Sequence, residues 1–117
     1  MIEQISAVTL ATGNMARAVA FYSALGFEMR YGGPDASFTS YNVGTGYLNL
    51  ALRDGFTGAP GWGRVIFYVS DVDALFDMAR ANGLEPSTTP RDAEWGERYF
   101  HISDPDGHEL SFARRLG

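Results

Sequence analysis

The sequence predicts an α+β fold that consists of two tandem strand–helix–strand–strand–strand repeats. Residues 8–28 (VTLATGNMARAVAFYSALGFE) align without a gap with residues 65–85 (VIFYVSDVDALFDMARANGLE), and such self-similarity is typical of a repeated structural unit. In both segments an alternating apolar run, typical of a strand, precedes apolar residues at helical spacing. Both repeats end in an alternating strand after a turn glycine, at 46–53 (GYLNLALR) and 107–115 (GHELSFARR). The same order of elements therefore occurs twice.

Each predicted helix has a recognisable start and end. Asn14 and Asp71 fit the N-cap position, because a short side-chain oxygen there accepts a hydrogen bond from an unpaired backbone N–H. Gly26 and Gly83 fit the left-handed conformation that commonly follows the last helical turn. The predicted strands lie near 4–12, 27–31, 36–43 and 46–53 in the first repeat, and near 63–70, 84–89, 97–103 and 108–114 in the second.

A chain of 117 residues is long enough to bury one hydrophobic core and short for two independent domains. We therefore predict a single domain over residues 1–117. Within it, repeat one spans about 1–54 and repeat two about 63–117. The glycine-rich stretch between them, about 55–62, contains Pro60 and reads as a linker.

The composition argues against several classes of partner. The 14 acidic and 9 basic side chains give a net charge of −5, whereas binding to nucleic acid requires a basic surface. No cysteine is present, so disulfides, thiolate metal ligands and a cysteine nucleophile are excluded. The N-terminal residues lack the pattern of a signal peptide, and no apolar run reaches membrane-spanning length. We expect a cytoplasmic protein with neither nucleic acid nor a membrane as partner.

Strand alternation predicts one apolar face and one mixed polar and aromatic face. Val8 and Leu10 alternate with polar or small residues, and Leu110 and Phe112 do the same in the last strand. The opposite face then carries Thr9, Tyr47, Asn49, Arg64, Tyr68, Glu109 and Ser111, together with Phe38, Ser40, Asn42, Tyr99 and His101. A face of this composition indicates a ligand cavity.

Two tryptophans, Trp62 and Trp95, are each followed by a glycine and suit stacking against a flat ligand. Alternatively, each closes an end of the sheet or packs at a dimer contact. Tyr47 and Tyr68 have an equally plain alternative, since aromatic residues are favoured on pleated surfaces whether or not a ligand is present.

The polar residues of this face also have structural interpretations. Arg64 is expected to pair with Glu109 rather than to bind a ligand directly, because a buried arginine is unfavourable unless it is paired. Asn49 and Ser111 would either orient a ligand or satisfy one another through water.

Three motifs resemble the vicinal oxygen chelate superfamily: AVAFYSALGFE in the first helix, VSDVDAL before the second, and DPDGHELSF near the end. This superfamily includes glyoxalase I, extradiol dioxygenases and the fosfomycin- and bleomycin-resistance proteins, and the resemblance spans essentially the whole chain. It implies a curved, largely antiparallel eight-stranded sheet with helices on the convex face and a ligand cavity on the concave face. Together with the short chain, it also implies a homodimer.

The resemblance assigns the superfamily's four metal-ligand positions to Ala7, Asn49, Arg64 and Ser111. Alanine has no donor atom, arginine is a permanent cation, and serine and asparagine are weak neutral ligands. We therefore predict that the metal centre is absent and that no cofactor is bound.

The stretch YFHISDPDGHELSF, residues 99–112, combines two histidines with a glutamate. Its DPDG sequence is typical of a turn between two strands. This geometry puts His108 at the edge of the turn, facing solvent, and His101 and Glu109 on one face together with Ser111.

Two functions remain open. The first is a metal-free binding protein that sequesters a small planar or aromatic molecule in a cleft lined by tyrosine and tryptophan. The acidic composition favours a cationic ligand, whereas Arg64 favours an anionic group. The second is a glyoxalase-like or dioxygenase-like enzyme that uses either a metal on unusual ligands or, without metal, His101 and Glu109 as acid and base.

A protein-interaction module is a third interpretation, but it leaves the polar face unexplained. The predicted ligand-binding residues are Tyr47, Asn49, Arg64, Tyr68, Trp95, Tyr99, His101, Glu109 and Ser111.

Overall fold

The structure, a computed structural model, describes residues 1–58 and 61–117. The elements are β1 (Ala7–Thr12), α1 (Met15–Ala24), β2 (Glu28–Tyr31), β3 (Phe38–Val43), β4 (Gly46–Leu52), β5 (Arg64–Tyr68), α2 (Val72–Ala81), β6 (Arg91–Asp92), β7 (Glu97–Ser103) and β8 (Glu109–Arg115). They form two compact units that divide after Gly58. Pro60 of the predicted linker lies outside the described residues.

Each unit contains one helix and one four-stranded sheet. The strand orders are β1-β4-β3-β2 and β5-β8-β7-β6. In both sheets the first strand pairs in parallel with the last, while the remaining pairs are antiparallel. The predicted α+β repeat is confirmed, and its eight strands are divided between two sheets.

The predicted strand at 84–89 is wrong, because the sixth strand is Arg91–Asp92. Pro86 interrupts the earlier segment, and proline has no N–H to donate to a neighbouring strand. The segment still contacts β7 through Ser87, whose N–H donates to the carbonyl oxygen of His101 at 2.8 Å. The sequence pattern predicted a strand here, whereas the segment contacts β7 without forming a regular strand.

The helix ends agree with the sequence prediction. The side chains of Asn14 and Asp71 each accept a hydrogen bond at 3.0 Å from the backbone N–H three residues further on. Gly26 and Gly83 have φ angles of 81° and 85°, the left-handed region in which glycine carries no steric penalty. Neither ten-residue helix has the length or apolar character to cross a membrane, within the described part of the chain.

The apolar side of each sheet packs beneath the helix of its own unit. Large hydrophobic strand residues that are almost completely buried include Tyr41, Leu48 and Leu50 in the first unit, and Phe100, Ile102, Leu110 and Phe112 in the second. Because side chains alternate along a strand, the residues between them point to the opposite face of the same sheet.

The turn between β7 and β8 is the predicted hairpin, and one of its details differs from the prediction. Asp104 Oδ1 accepts hydrogen bonds from the backbone N–H groups of Asp106 at 2.9 Å and His108 at 3.0 Å. The solvent-facing position predicted for His108 is wrong, since only 4% of this residue is exposed. Its Nδ1 accepts a hydrogen bond of 2.8 Å from Trp62 Nε1, which satisfies the imidazole away from solvent. Trp62 is therefore engaged at the turn of the second unit.

Candidate functional site

The second sheet has a cavity on the face opposite its helix. Pairing places Ile66 beside Ser111 and Ser111 beside His101, so three neighbouring strands contribute side chains at the same level. The cavity has a volume of about 330 Å³ and is lined by Arg64, Ile66, Trp95, Glu97, Tyr99, His101, Ser111 and Ala113. Five of the predicted ligand-binding residues therefore surround one space.

A polar triad occupies one end of the cavity. Arg64 Nη1 donates a hydrogen bond of 3.0 Å to Ser111 Oγ and also contacts His101 Nδ1. Ser111 Oγ lies 2.6 Å from the same ring nitrogen. The triad brings together β5, β7 and β8, and every member is held by the other two.

The contacts define the protonation state of His101. A guanidinium group only donates hydrogen bonds, so the contact with Arg64 fits a ring whose Nδ1 carries the lone pair and whose hydrogen is on Nε2. Burial lowers the pKa of His101, the positive charges of Arg64 and Arg91 lower it further, and Glu109 acts in the opposite direction. His101 is therefore neutral at physiological pH.

The predicted pairing of Arg64 with Glu109 is confirmed as a loose ion pair. Arg64 Nη2 lies 3.7 Å from Glu109 Oε1, and the two side chains are 30% and 45% exposed. This distance is too long for a hydrogen bond, and exposed ion pairs of this kind contribute little to stability.

Aromatic rings form the adjoining wall. Trp95 stacks on Tyr99 with ring centroids 5.7 Å apart and planes 26° apart, and Tyr99 lies 4.9 Å from the His101 ring. Trp95 Nε1 donates a hydrogen bond of 2.8 Å to Glu97 Oε1. The wall therefore leads from Trp95 to the polar triad.

Glu97 is a lining residue that the sequence reasoning missed. Besides Trp95, it accepts a hydrogen bond from the hydroxyl group of Tyr68. These two bonds lower the pKa of Glu97, the bond from Tyr68 being the larger cause. Extending the alternation of Tyr99 and His101 by one step towards the N terminus would have placed Glu97 on this face.

Tyr68 and Glu109 are the two predicted residues of the second unit that border the cavity rather than line it. Tyr68 contacts the lining residue Glu97, and Glu109 contacts Arg64. Each therefore meets the cavity through a lining residue.

The predicted residues of the first unit have partners within that unit. Asn49 Oδ1 accepts a hydrogen bond of 2.7 Å from Ser40 Oγ, and Asn49 Nδ2 donates one of 3.2 Å to Thr9 Oγ1. The Arg30 guanidinium lies over the Tyr47 ring, 4.0 Å from its centroid. Asn49 is thus oriented by two neighbours, and Tyr47 by a cation–π contact.

The four positions that the resemblance assigns to the superfamily's metal ligands do not offer a suitable donor set. Ala7 contributes no donor, Asn49 is engaged by Ser40 and Thr9, and Arg64 directs a cationic group at Ser111. Among the described residues, no group of three or more histidine, cysteine, aspartate or glutamate side chains is arranged to hold a metal ion. The residues at these positions therefore do not fit a divalent cation.

A second and larger depression, of about 510 Å³, lies between the end of α2 and the irregular segment that follows it. Its lining includes Phe76, Arg80, Glu85 and residues 87–89. None of the predicted ligand-binding residues lines it, so size alone does not identify the site.

Comparisons with known proteins agree with the fold. A family model described as the Glyoxalase/Bleomycin resistance protein/Dioxygenase superfamily matches residues 4–112. The crystal structure of TioX from Micromonospora sp. ML1 superimposes with a TM-score of 0.78 at 27% identity, covering 97% of this chain and 100% of TioX. No match was found among curated protein sequences.

Two further solved structures show the same fold at lower identity. Lactoylglutathione lyase from Agrobacterium tumefaciens has a TM-score of 0.77 at 22% identity, with 97% of this chain and 94% of the enzyme covered. A bleomycin-binding protein in complex with bleomycin has a TM-score of 0.74 at 21% identity, with 97% and 99% covered.

Proposed function

Because the chain belongs to the Glyoxalase/Bleomycin resistance protein/Dioxygenase superfamily, we propose that it is a small-molecule-binding protein that sequesters a planar or aromatic ligand without a metal ion. The superfamily name covers both enzymes and binding proteins, so the choice between them depends on the site.

The observation that carries the proposal is the combination of aromatic wall and polar triad in one cavity. Trp95 and Tyr99 present stacked rings, and Arg64, His101 and Ser111 present hydrogen-bonding groups at one end. Mostly apolar walls with a few convergent polar groups are typical of small-molecule sites. The bleomycin-binding protein of the same fold provides a precedent for ligand binding.

The absence of a metal is part of the proposal. Arg64 is a permanent cation in a position that the superfamily uses for a ligand, and its Nη1 lies 3.0 Å from Ser111 Oγ at another such position. A divalent ion between them would be repelled by the guanidinium group. Elemental analysis of protein purified without added metal, followed by titration with nickel, zinc and manganese, tests this point. Stoichiometric tight binding of any of these ions would contradict it.

An enzyme that uses His101 and Glu109 as acid and base has less support. Nδ1 of His101 already accepts from Arg64, and the lowered pKa of His101 leaves little protonated imidazole to act as an acid. General acid–base catalysis needs a group that can exchange its proton with a substrate near the operating pH. The observed contacts favour orientation of a ligand over proton transfer.

Calorimetric titration with a panel of planar aromatic compounds tests the proposed function. We expect at least one compound to bind with saturation, and Trp95→Ala to weaken that binding about three- to tenfold, because aromatic contacts contribute about 0.5–1.5 kcal/mol beyond the area they bury.

Trp62→Phe is the matched control, since Trp62 is bonded to His108 and does not line the cavity. This variant should bind as the unmodified protein does. Flat titrations across the whole panel, or equal losses in the two variants, would count against the proposal.

A further inference from the structure

Arg64 has hydrogen-bonding capacity that the described residues do not use. Its contacts with described residues involve Nη1, which reaches Ser111 and His101, whereas Nη2 has only the loose ion pair with Glu109 at 3.7 Å. A guanidinium group carries five N–H donors in a planar fork. Donors therefore remain at the end of the cavity for an acceptor supplied from outside.

The carboxylates of this region do not satisfy those donors. Glu97 accepts from Tyr68 and Trp95 instead, at the far end of the aromatic wall. Glu109 is 45% exposed and stands beyond hydrogen-bond distance from Arg64. A carboxylate placed directly on the fork would form charge-assisted bonds of about 2.7–2.9 Å, which the loose pair with Glu109 does not provide.

The triad holds the guanidinium in a defined position. Only 3% of Ser111 is exposed, and its Oγ forms hydrogen bonds with both Arg64 Nη1 and His101 Nδ1. Because His101 is neutral with its hydrogen on Nε2, it adds no second positive charge beside Arg64. Two neutral partners thereby fix the cation, and among the described residues its charge is paired only with Glu109, at 3.7 Å.

The aromatic wall ends where this cation begins. Trp95 stacks on Tyr99, Tyr99 contacts the His101 ring, and His101 contacts Arg64. A cavity of about 330 Å³ is at the small end of the range for ligand sites, about 300–1,000 Å³. The space suits a molecule of one or two fused rings.

We propose that the ligand is a small planar aromatic acid, with its ring against Tyr99 and Trp95 and its acidic oxygens on the guanidinium fork of Arg64. This inference rests on the proposed binding function and extends it to a class of ligand. The resemblance places a metal ligand of the superfamily at position 64. In this chain the Arg64 guanidinium is the cation that binds the ligand's oxygens. The acidic group, and not a positive charge on the ligand, is the feature recognised at this end.

Matched pairs of acid and amide test the inference, with 2-naphthoic acid against 2-naphthamide and indole-3-carboxylic acid against its amide as the probes. We expect each acid to bind at least about tenfold more tightly than its amide, because a carboxylate can accept both bonds of the guanidinium fork as an ion pair, whereas the amide offers one uncharged carbonyl oxygen. Arg64→Met should remove the preference, because it weakens binding of the acid about tenfold or more and weakens binding of the amide less.

Two further variants separate recognition from general effects. Arg91→Met removes the same charge from β6, at the opposite edge of the sheet from β5 and at a residue that does not line the cavity, so it should retain the preference. Arg64→Lys keeps the charge without the fork and should retain part of it. Thermal unfolding of each variant verifies that the fold persists.

The possible outcomes are distinct. If neither member of any pair binds, both the proposed function and this inference fail. If acid and amide bind equally, or if Arg91→Met removes the preference as completely as Arg64→Met does, the binding function stands and the inference is wrong.

Discussion

Arg64 and His101 determine one another's chemistry through their shared contact. The arginine can only donate, so the histidine ring accepts at Nδ1 and stays neutral. Sequence alternation was sufficient to place both residues on one face. Alternation did not reveal that the two side chains touch. Arg64 on β5 and His101 on β7 are separated by β8, so their contact depends on the register in which β8 pairs with each of them.

The lowered pKa of His101 predicts a pH-dependent contribution to stability. A pKa that lies lower in the folded protein than its ordinary value of 6.5 means that the unfolded chain binds the proton more readily. The contribution is therefore fully present above about pH 6.5 and is lost as the pH falls through the folded pKa.

Urea unfolding of the unmodified protein and of His101→Gln, at about pH 7.5 and pH 5.5, measures this contribution. We expect the stability advantage of the unmodified protein over the variant to shrink at the lower pH. An advantage that stays constant or grows as the solution is acidified would contradict the assigned protonation state.

The bond between Trp62 and His108 predicts a difference between the two tryptophans. Trp62→Phe removes a hydrogen bond to a histidine that is only 4% exposed, and we expect a loss of about 1 kcal/mol in the free energy of unfolding. Trp95→Phe removes a bond to Glu97 at an exposed site and should have a smaller effect. Chemical denaturation of both variants makes the comparison, and equal losses would show that the bond to His108 stabilises the fold no more than the exposed bond to Glu97.

At the scale of single elements, the connection between β2 and β3 depends on a close backbone approach. A Cβ atom added to Gly32 would lie 2.5 Å from the Phe38 carbonyl oxygen, and φ of Gly32 is +102°. The neighbouring Gly33 also has a positive φ, +132°, but nothing lies within 4 Å of its added Cβ atom. Its N–H donates a hydrogen bond of 3.0 Å to Thr39 Oγ1, which ties the connection to β3.

These two glycines form a matched pair for a stability test. Both substitutions to alanine strain the backbone, and we expect Gly32→Ala to destabilise the protein by at least about 1 kcal/mol more than Gly33→Ala, because a backbone oxygen must move. Midpoints of thermal or urea unfolding give the difference. If the two variants are equally stable, the close approach is not the constraint.

The elements themselves were largely predictable from short-range patterns. The N-caps Asn14 and Asp71 and the helix-ending Gly26 and Gly83 all lie where the local chemistry places them. The strand predicted at 84–89 failed because the pattern of apolar residues cannot report whether backbone groups find partners in a neighbouring strand.

At the scale of the whole molecule, the chain is a duplicated unit. Each copy folds as a sheet with its own helix and its own buried residues. Only the second copy combines an arginine, a histidine and a serine in the equivalents of its first, third and fourth strands. Duplication of the fold is thus accompanied by divergence of the polar face.

The short duplicated chain and its family resemblance predict a homodimer. Light scattering at micromolar concentration should give a mass of about twice the 12.8 kDa of the chain. A monomer mass that persists across a series of increasing concentrations would remove this prediction.

The sequence by itself determined the repeat, the helix caps, the final hairpin and the division of strand residues between two faces. Each of these follows from spacing and side-chain chemistry within a few residues, which a linear pattern records directly. Only the tertiary structure decided that Trp62 covers His108, that the sixth strand lies at Arg91–Asp92, and that Arg64 meets His101 and Ser111. These features depend on contacts between residues far apart in the chain. Such contacts are determined by how the strands pack, and the periodicity of the sequence does not record them.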